Sequence, residues 1–141
     1  MEFDLERFVS AQRVGYDEVR AELRAGRKTG HWIWYIFPQM VGLGRSETSR
    51  TYAIGSLDEA RAYLGHPVLG PRLHDCAELV LASGGRSAAA IFGSLDAMKV
   101  RSSMTLFHRA APDDPVFARV LDRFYDGVPD AATDVLIEGS L

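Results

Sequence analysis

The chain has 141 residues, of which 47% are hydrophobic and 25% are charged, and its net charge at pH 7 is −3. Because this length fits one domain and the composition disfavours disorder, residues 1–141 are predicted to form a single globular domain. The charge gives no reason to expect nucleic acid as a partner, and no apolar run is long enough to span a membrane. The one cysteine, Cys76, excludes an intramolecular disulfide, and without an evident signal peptide it predicts a cytoplasmic protein.

The spacing of apolar residues predicts an all-α fold of about six to eight short helices. The first helix is expected to run from about Leu5 to Arg24, because apolar residues recur there at steps of three and four. Asp4 is its predicted N-cap, and Gly26 is predicted to end it.

The block His31–Gln39 reads HWIWYIFPQ and fits either a strand or a helix. β-Propensity favours a strand, yet no partner strand is evident nearby. We therefore expect a short helix that begins at Thr29 and ends before Pro38, because a residue that precedes proline avoids the α conformation.

Caps and breakers predict the remaining helices. The first three run from Ser46 to near Gly55, from Ser56 to near Leu64, and from near Pro67 to a point before Gly84. The next two run from Ser87 to Phe92 and from Ser94 to about Arg109. The last two run from Asp114-Pro115 to a point before Gly127, and from Asp130 through Ile137. The apolar positions of the helix after Ser94 are Leu95, Met98, Met104, Leu106 and Phe107.

The aromatic block also carries the first candidate site. It holds both tryptophans and four of the chain's fourteen Phe, Trp and Tyr residues. The polar residues at its edge are Lys28, His31, Gln39, Arg45 and Ser46. Such a block fits a folding nucleus as well as a ligand pocket. Arg45 and Ser46 stand at an expected helix start, where an anion is favoured, although an ordinary capped helix explains them too.

A second polar block, Lys99–Thr105, places two cations and three hydroxyls within one helix. Serine and threonine are mediocre helix formers, so their presence there needs a reason. On a helix Lys99, Ser102 and Ser103 share one face, while Arg101 and Thr105 share another. Close helix packing and a pocket wall explain the hydroxyls equally well.

No metal or cofactor is predicted. The four histidines lack the spacing of metal ligands, and Cys76 among leucines and valines is best interpreted as a buried core thiol. Neither a nucleophile–base pair nor a recognised phosphate-binding motif is present.

Several blocks together resemble a bacterial domain-of-unknown-function family (number 1810), often labelled calpastatin. The matching blocks are Asp4–Gln12, Glu22–Lys28, His31–Gln39, Gly42–Ser46, His66–Leu73 and Lys99–Phe107. The resemblance covers nearly the whole chain and implies a small, mostly α-helical, intracellular protein. Calpastatin itself is disordered, whereas this composition is that of a folded globule.

A more distant likeness is to the NAD- and ADP-ribose-associated (YbiA-like) superfamily, whose members hydrolyse N-glycosidic bonds. The similar features are the aromatic helix with its glutamine, the Leu43-Gly44-Arg45 turn and the helix from Met104 to Phe107. That superfamily has a glutamate where this chain has His31. A glutamate stabilises an oxocarbenium-like centre and a histidine does so poorly, so the substitution weighs against the same hydrolytic mechanism in this chain.

The leading hypothesis is therefore a protein that binds a small phosphate-bearing ligand, nucleotide or ADP-ribose-like; hydrolysis of an N-glycosidic bond is the reaction that the likeness suggests, and the sequence leaves open whether any reaction is catalysed. The predicted roles are base stacking for Trp32 and Trp34, phosphate binding for Arg45 and Lys99, orientation of polar groups for Gln39, Ser46 and Ser102, and acid–base catalysis for His31. The alternative is a protein-interaction module with an exposed aromatic patch, and a third possibility is an aromatic block that is purely core. The sequence does not fix an oligomeric state.

Overall fold

The computed structural model describes residues 3–141, which form nine helices and no named strand. The helices are α1 (Glu6–Ala25), α2 (Ile33–Ile36), α3 (Glu47–Thr51), α4 (Leu57–Gly65), α5 (Leu69–Leu81), α6 (Ala88–Phe92), α7 (Ser94–Ala110), α8 (Pro115–Tyr125) and α9 (Ala131–Gly139). The predicted all-α class is confirmed, with one helix more than the upper expected number. Within the described range no helix is both long and apolar enough to cross a membrane.

The two ends of α1 differ in how well they were predicted. The helix begins at Glu6, and the prediction of Asp4 as its N-cap is wrong, because Leu5 occupies that position in a helical conformation and no side chain caps it. The Asp4 carbonyl instead accepts a hydrogen bond from the Arg7 guanidinium. At the other end Gly26 adopts the left-handed conformation, with φ 71°, and its N–H bonds back to the last turn, as predicted.

Side-chain caps fix the beginning of most later helices. The predicted caps that accept a backbone N–H are Ser46 at α3, Ser56 at α4, Ser87 at α6, Asp114 at α8 and Asp130 at α9. The start of α5 lies at Leu69, two residues beyond Pro67, because the Nδ1 atom of His66 accepts the N–H groups of Val68 and Leu69.

Helix α3 is shorter than predicted because the chain after it pairs with another segment. It ends at Thr51, whereas the sequence suggested an end near Gly55. Ile54 forms an isolated parallel bridge with Met40, in which Ile54 donates to the Gln39 carbonyl and accepts from Val41, each at 2.8 Å. This bridge fastens the segment after the aromatic block to the segment before α4.

The core is organised around α7, which packs against α4, α6, α8 and α9. Phe107 lies at its centre, with its ring centroid 5.3 Å from that of Tyr63 and 5.8 Å from that of Phe117. The first two turns of α7 are buried on one side only, where Ala97 and Val100 belong to the core. Leu95 and Met98, predicted as apolar positions of the helix, are 74% and 67% exposed. The aromatic block lies near these two exposed residues, since α2 contacts α7 and Trp34 shares a cleft lining with Leu95 and Met98.

Candidate functional site

Glu22 shapes the loop that leads into the aromatic block. Its Oε1 atom accepts hydrogen bonds from Thr29 N at 2.6 Å, Gly30 N at 2.9 Å and Trp32 Nε1 at 3.0 Å. Burial alone would raise the pKa of Glu22, but these N–H donors outweigh it and lower that pKa below its ordinary value. The carboxylate thus closes the turn after α1 and directs the Trp32 indole inward.

The two tryptophans have different environments. Trp32 is 4% exposed and packs against Phe37 in the core, with ring centroids 6.3 Å apart. Trp34 is half-buried and lines two neighbouring clefts on the surface. The predicted stacking wall therefore reduces to Trp34, because the Trp32 ring has no face open to a ligand.

Only two of the chain's 16 Lys and Arg residues are lysines, and both bind the same carboxylate. Lys28 Nζ lies 2.7 Å from Asp96 Oδ2, and Lys99 Nζ lies 3.0 Å from Asp96 Oδ1. Burial would raise the pKa of Asp96, but the hydrogen bonds and charges of the two ammonium groups lower it below its ordinary value. The Lys99 ammonium also stands 4.4 Å from the centre of the Trp34 ring, a cation–π distance.

This cluster forms one wall of a cleft of about 340 Å³, here called the cationic cleft. The residues that define it are Lys28, His31, Trp34, Ser46, Asp96 and Lys99. Two ammonium groups and one carboxylate give the cleft a net charge of +1 before His31 is counted. His31 is exposed on its wall, where its imidazole is free to meet a bound molecule.

A second cleft of about 310 Å³, here called the apolar cleft, adjoins the first. Its apolar side chains are mainly those of Trp34, Leu43, Leu95 and Met98, and its polar side chains are those of Gln39, Lys99, Ser102 and Asp130. Because Trp34 and Lys99 line both clefts, this stacked pair separates a charged compartment from an apolar one. The loop at Gly44 packs closely against Ser49 and the Trp34 ring, and only glycine fits there. A Cβ at this position would clash with the side chain of Ser49 and would lie 3.3 Å from the Trp34 ring.

Gln39 lies in the wall of the apolar cleft with its amide unpaired. The residue is 7% exposed, and its Nε2 atom has no hydrogen-bond partner within residues 3–141. Gln39 also borders an internal void of about 10 Å³, close to the smallest space that can hold one water. A buried amide without partners is costly, so this group is a candidate for ligand recognition.

The polar block Lys99–Thr105 serves chiefly to hold the loop before α9. Arg101 donates to the carbonyls of Val128 and Pro129, and the Thr105 hydroxyl accepts from Asp130 N at 2.9 Å. The hydroxyl of Ser102, which lines the apolar cleft, lies 3.1 Å from Asp130 Oδ2. The hydroxyls of Ser102 and Thr105 thus fasten this loop to α7, whereas the buried Ser103 hydroxyl has no hydrogen-bond partner among the described residues.

Arg45 and Ser46 are neighbours with different surroundings. Ser46 lines the cationic cleft, and its Oγ accepts from Ser49 N at 3.1 Å as the cap of α3. Arg45 is exposed and belongs to neither cleft lining. Its role as a phosphate ligand stays a prediction without a contact in this structure. The aromatic block, Ser46 and Lys99 do converge on one cleft.

Sequence reasoning missed Glu22, Asp96 and the exposure of Leu95 and Met98. Glu22 lies in the last turns of α1, where the spacing of residues gives no sign that its carboxylate accepts hydrogen bonds from Gly30 and Trp32 of the aromatic loop. Asp96 carried a usable signal, because an acid three residues before Lys99 on a helix is placed to bind it.

Other reactive groups in the chain are occupied or buried. No cluster of three or more His, Cys, Asp or Glu side chains within the described residues could hold a metal ion. His74 Nε2 lies 2.6 Å from Asp114 Oδ2. Cys76 is the buried core thiol that the sequence predicted, and burial raises its pKa to about 12. A thiol held in this protonated state is a poor nucleophile.

A family model described as "Protein of unknown function (DUF1810)" matches residues 2–137. The chain belongs to this family. The DUF1810 chain is also similar to a crystal structure of the conserved hypothetical protein Rv1873 from Mycobacterium tuberculosis, with 51% sequence identity and a TM-score of 0.95. That match covers 96% of this chain and 97% of the other. No curated protein matches the chain. The comparisons establish the family and the fold, and they assign no activity.

Proposed function

We propose that this DUF1810 protein binds a small phosphate-bearing molecule in the cationic cleft. The observation that carries the proposal is the convergence of the chain's two lysines on one side of a cleft of about 340 Å³. That volume lies within the range of small-molecule sites. Asp96 holds the two ammonium groups in place without neutralising both of them.

The groups around the cleft suit a phosphate. The ammonium groups of Lys28 and Lys99 supply charge, and the hydroxyls of Ser46 and Thr48 supply hydrogen bonds. The imidazole of His31 donates a hydrogen bond whether neutral or protonated. Lys28 has a side chain only 7% exposed, so its charge acts in a partly desolvated environment where attraction to an anion is strengthened.

The binding test uses inorganic phosphate, pyrophosphate and ribose 5-phosphate as probes in thermal-shift and calorimetric titrations. A probe at one hundred times its dissociation constant should stabilise the fold by about 2.7 kcal/mol. Replacing Lys99 by Met should weaken binding about ten- to hundredfold, because a charge-assisted contact is lost. The matched control is Arg13→Met, which removes an exposed cation of α1 outside both cleft linings. Absence of binding by all three probes would overturn the proposal.

The scarcity of lysine provides a second test. Apart from the amino terminus, an amine-reactive reagent can modify only Lys28 and Lys99, whose side chains are 7% and 28% exposed. Mass spectrometry should show Lys99 modified first, and a bound phosphate compound should slow that reaction. Unchanged labelling at a saturating probe concentration would place the probe elsewhere.

The finer form of the proposal concerns the ligand and the reaction. The likeness to the NAD- and ADP-ribose-associated (YbiA-like) superfamily suggests a nucleotide or ADP-ribose-like ligand and hydrolysis of its N-glycosidic bond. His31 is the cleft residue placed for acid–base work. Chromatography of NAD incubated with the protein would reveal released nicotinamide, which His31→Ala should abolish. If NAD stays intact, the protein does not hydrolyse this substrate, and the proposal that it binds a phosphate compound is unaffected.

The alternative function, a protein-interaction module, is favoured by the exposure of Leu95 and Met98. A flat pair of exposed tryptophans would have strengthened it. Instead Trp32 is buried and Trp34 lines concave surfaces, which favours a small ligand.

A further inference from the structure

We infer that the apolar cleft takes the base of the same ligand, so that the ligand class is a nucleoside phosphate, recognised through the amide of Gln39. The inference rests on the proposed function, since it assumes that the cationic cleft holds the phosphate. It adds a second compartment and a specificity-determining residue, and it supports a nucleoside phosphate from the geometry of the clefts, independently of any family likeness.

The two clefts are joined in a way that suits a bipartite ligand. Trp34 and Lys99 line both, and the ammonium of Lys99 stands 4.4 Å from the centre of the Trp34 ring. An anionic group beside that ammonium therefore has an aromatic wall next to it. A planar ring attached to the anion through a short linker reaches the apolar cleft, where it meets the edge of Trp34 and the side chain of Leu43.

The unpaired amide of Gln39 specifies what that ring must carry. A primary amide offers a donor and an acceptor side by side, which is the pattern needed to bind the polar edge of a nucleobase. The Nε2 end of this amide has no hydrogen-bond partner among the described residues, and the residue is only 7% exposed. The void of about 10 Å³ that Gln39 borders has room for at most one water, so at most one water competes there with a ligand for this donor.

Leu95 and Met98 form the open rim of this compartment. They lie three residues apart on α7, which places them on one face of the helix, and both are more than half exposed. Burying the apolar surface of such a pair lowers the free energy, and a thioether packs well against an aromatic ring. A base seated between this rim and Trp34 would cover both residues.

The test compares AMP, GMP, CMP and UMP with ribose 5-phosphate by isothermal titration calorimetry. We expect at least one nucleotide to bind about tenfold or more tightly than ribose 5-phosphate, since a stacked ring and one or two hydrogen bonds are added. Gln39→Leu, close in size and unable to hydrogen-bond, should remove most of that preference while the affinity for ribose 5-phosphate is kept. Circular dichroism and the midpoint of thermal unfolding check that this buried variant folds.

A second variant avoids the risk of misfolding. Met98→Ser changes an exposed rim residue and should weaken the preferred nucleotide about threefold or more without affecting ribose 5-phosphate. If ribose 5-phosphate binds and no nucleotide binds more tightly, the inference fails while the proposed function stands. If neither binds, both fail. Nucleotide preference unaffected by both variants would place the base outside the apolar cleft and overturn the inference.

Discussion

Asp96 is the residue whose replacement tests the cationic cleft most directly. In wild type its two carboxylate oxygens bind the two lysines, at 2.7 Å and 3.0 Å. Asp96→Asn keeps the shape and one acceptor but removes the charge. Lys28, with its side chain 7% exposed, is then left with a buried ammonium and no counter-charge. We expect a less stable protein.

The size of the effect follows from burial. Removing one partner of a fully buried ion pair costs about 3–5 kcal/mol, whereas exposed pairs contribute about 0–1 kcal/mol. Asp96 is 19% exposed and Lys99 28%, so this cluster lies between those limits, and we expect a loss of about 2 kcal/mol. For a chain of this length that loss lowers the midpoint of thermal unfolding by about 6–8 °C.

The loss depends on pH in a direction that the structure determines. The pKa of Asp96 in the folded protein is lowered from its ordinary value of 3.8. Its contribution is therefore complete above pH 3.8 and disappears as the pH falls through the lower, folded pKa. The difference in unfolding free energy between wild type and Asp96→Asn should be largest near neutral pH and should shrink below pH 3.8.

Urea unfolding at a series of pH values measures this difference, and the chain offers a matched control. Asp58 also lies in the first turn of a helix and pairs with a cation three residues later, Arg61, but its side chain is 81% exposed. Asp58→Asn shares the helix-dipole effect and should cost about 0.5 kcal/mol or less. Equal losses for the two variants, or a loss at Asp96 that does not vary with pH, would refute the reasoning.

Three further predictions concern the surroundings of the clefts. Gly44→Ala should cost about 1–3 kcal/mol in urea unfolding, because the new Cβ has no room, whereas Gly65→Ala meets open space and should change stability by less than about 1 kcal/mol. Cys76 should not react with a thiol reagent at pH 8 in the folded protein and should react once unfolded, since burial raises its pKa to about 12. Trp32→Ala should cost about 3–5 kcal/mol and Trp34→Ala about half of that, since one ring is core and the other half-buried; equal costs would contradict this assignment.

Helix positions could be predicted because their signals are local. Serine and aspartate caps act on N–H groups two or three residues away, so Ser56, Ser87 and Asp130 were identified from sequence alone. The errors came where a distant partner decided the outcome. The end of α3 depends on the bridge between Met40 and Ile54, which adjacent residues do not reveal.

The site was harder to predict for the same reason. The aromatic block lines one cleft together with Ser46 and Lys99, and this convergence was expected from the sequence. Which tryptophan faces solvent depends on Glu22, whose carboxylate takes the Trp32 indole N–H at 3.0 Å. Helical spacing puts Trp32 and Trp34 on different faces, but it does not say which face is buried, because that depends on a contact made from the preceding helix.

The rarity of lysine is a signal in the sequence that neither periodicity nor motif spacing registers. The other 14 cationic side chains of this chain are all arginine, so arginine serves at most of its charged surface positions. The two lysines therefore call for a specific structural reason. The structure supplies one: both ammonium groups lie against a tryptophan ring and reach the same carboxylate. A compact ammonium can approach a ring face and a carboxylate oxygen together and still leave donors directed elsewhere, whereas a planar guanidinium would fork onto Asp96 and fill the space. Under the proposed function, the remaining donors of Lys99 are the ones that bind the phosphate.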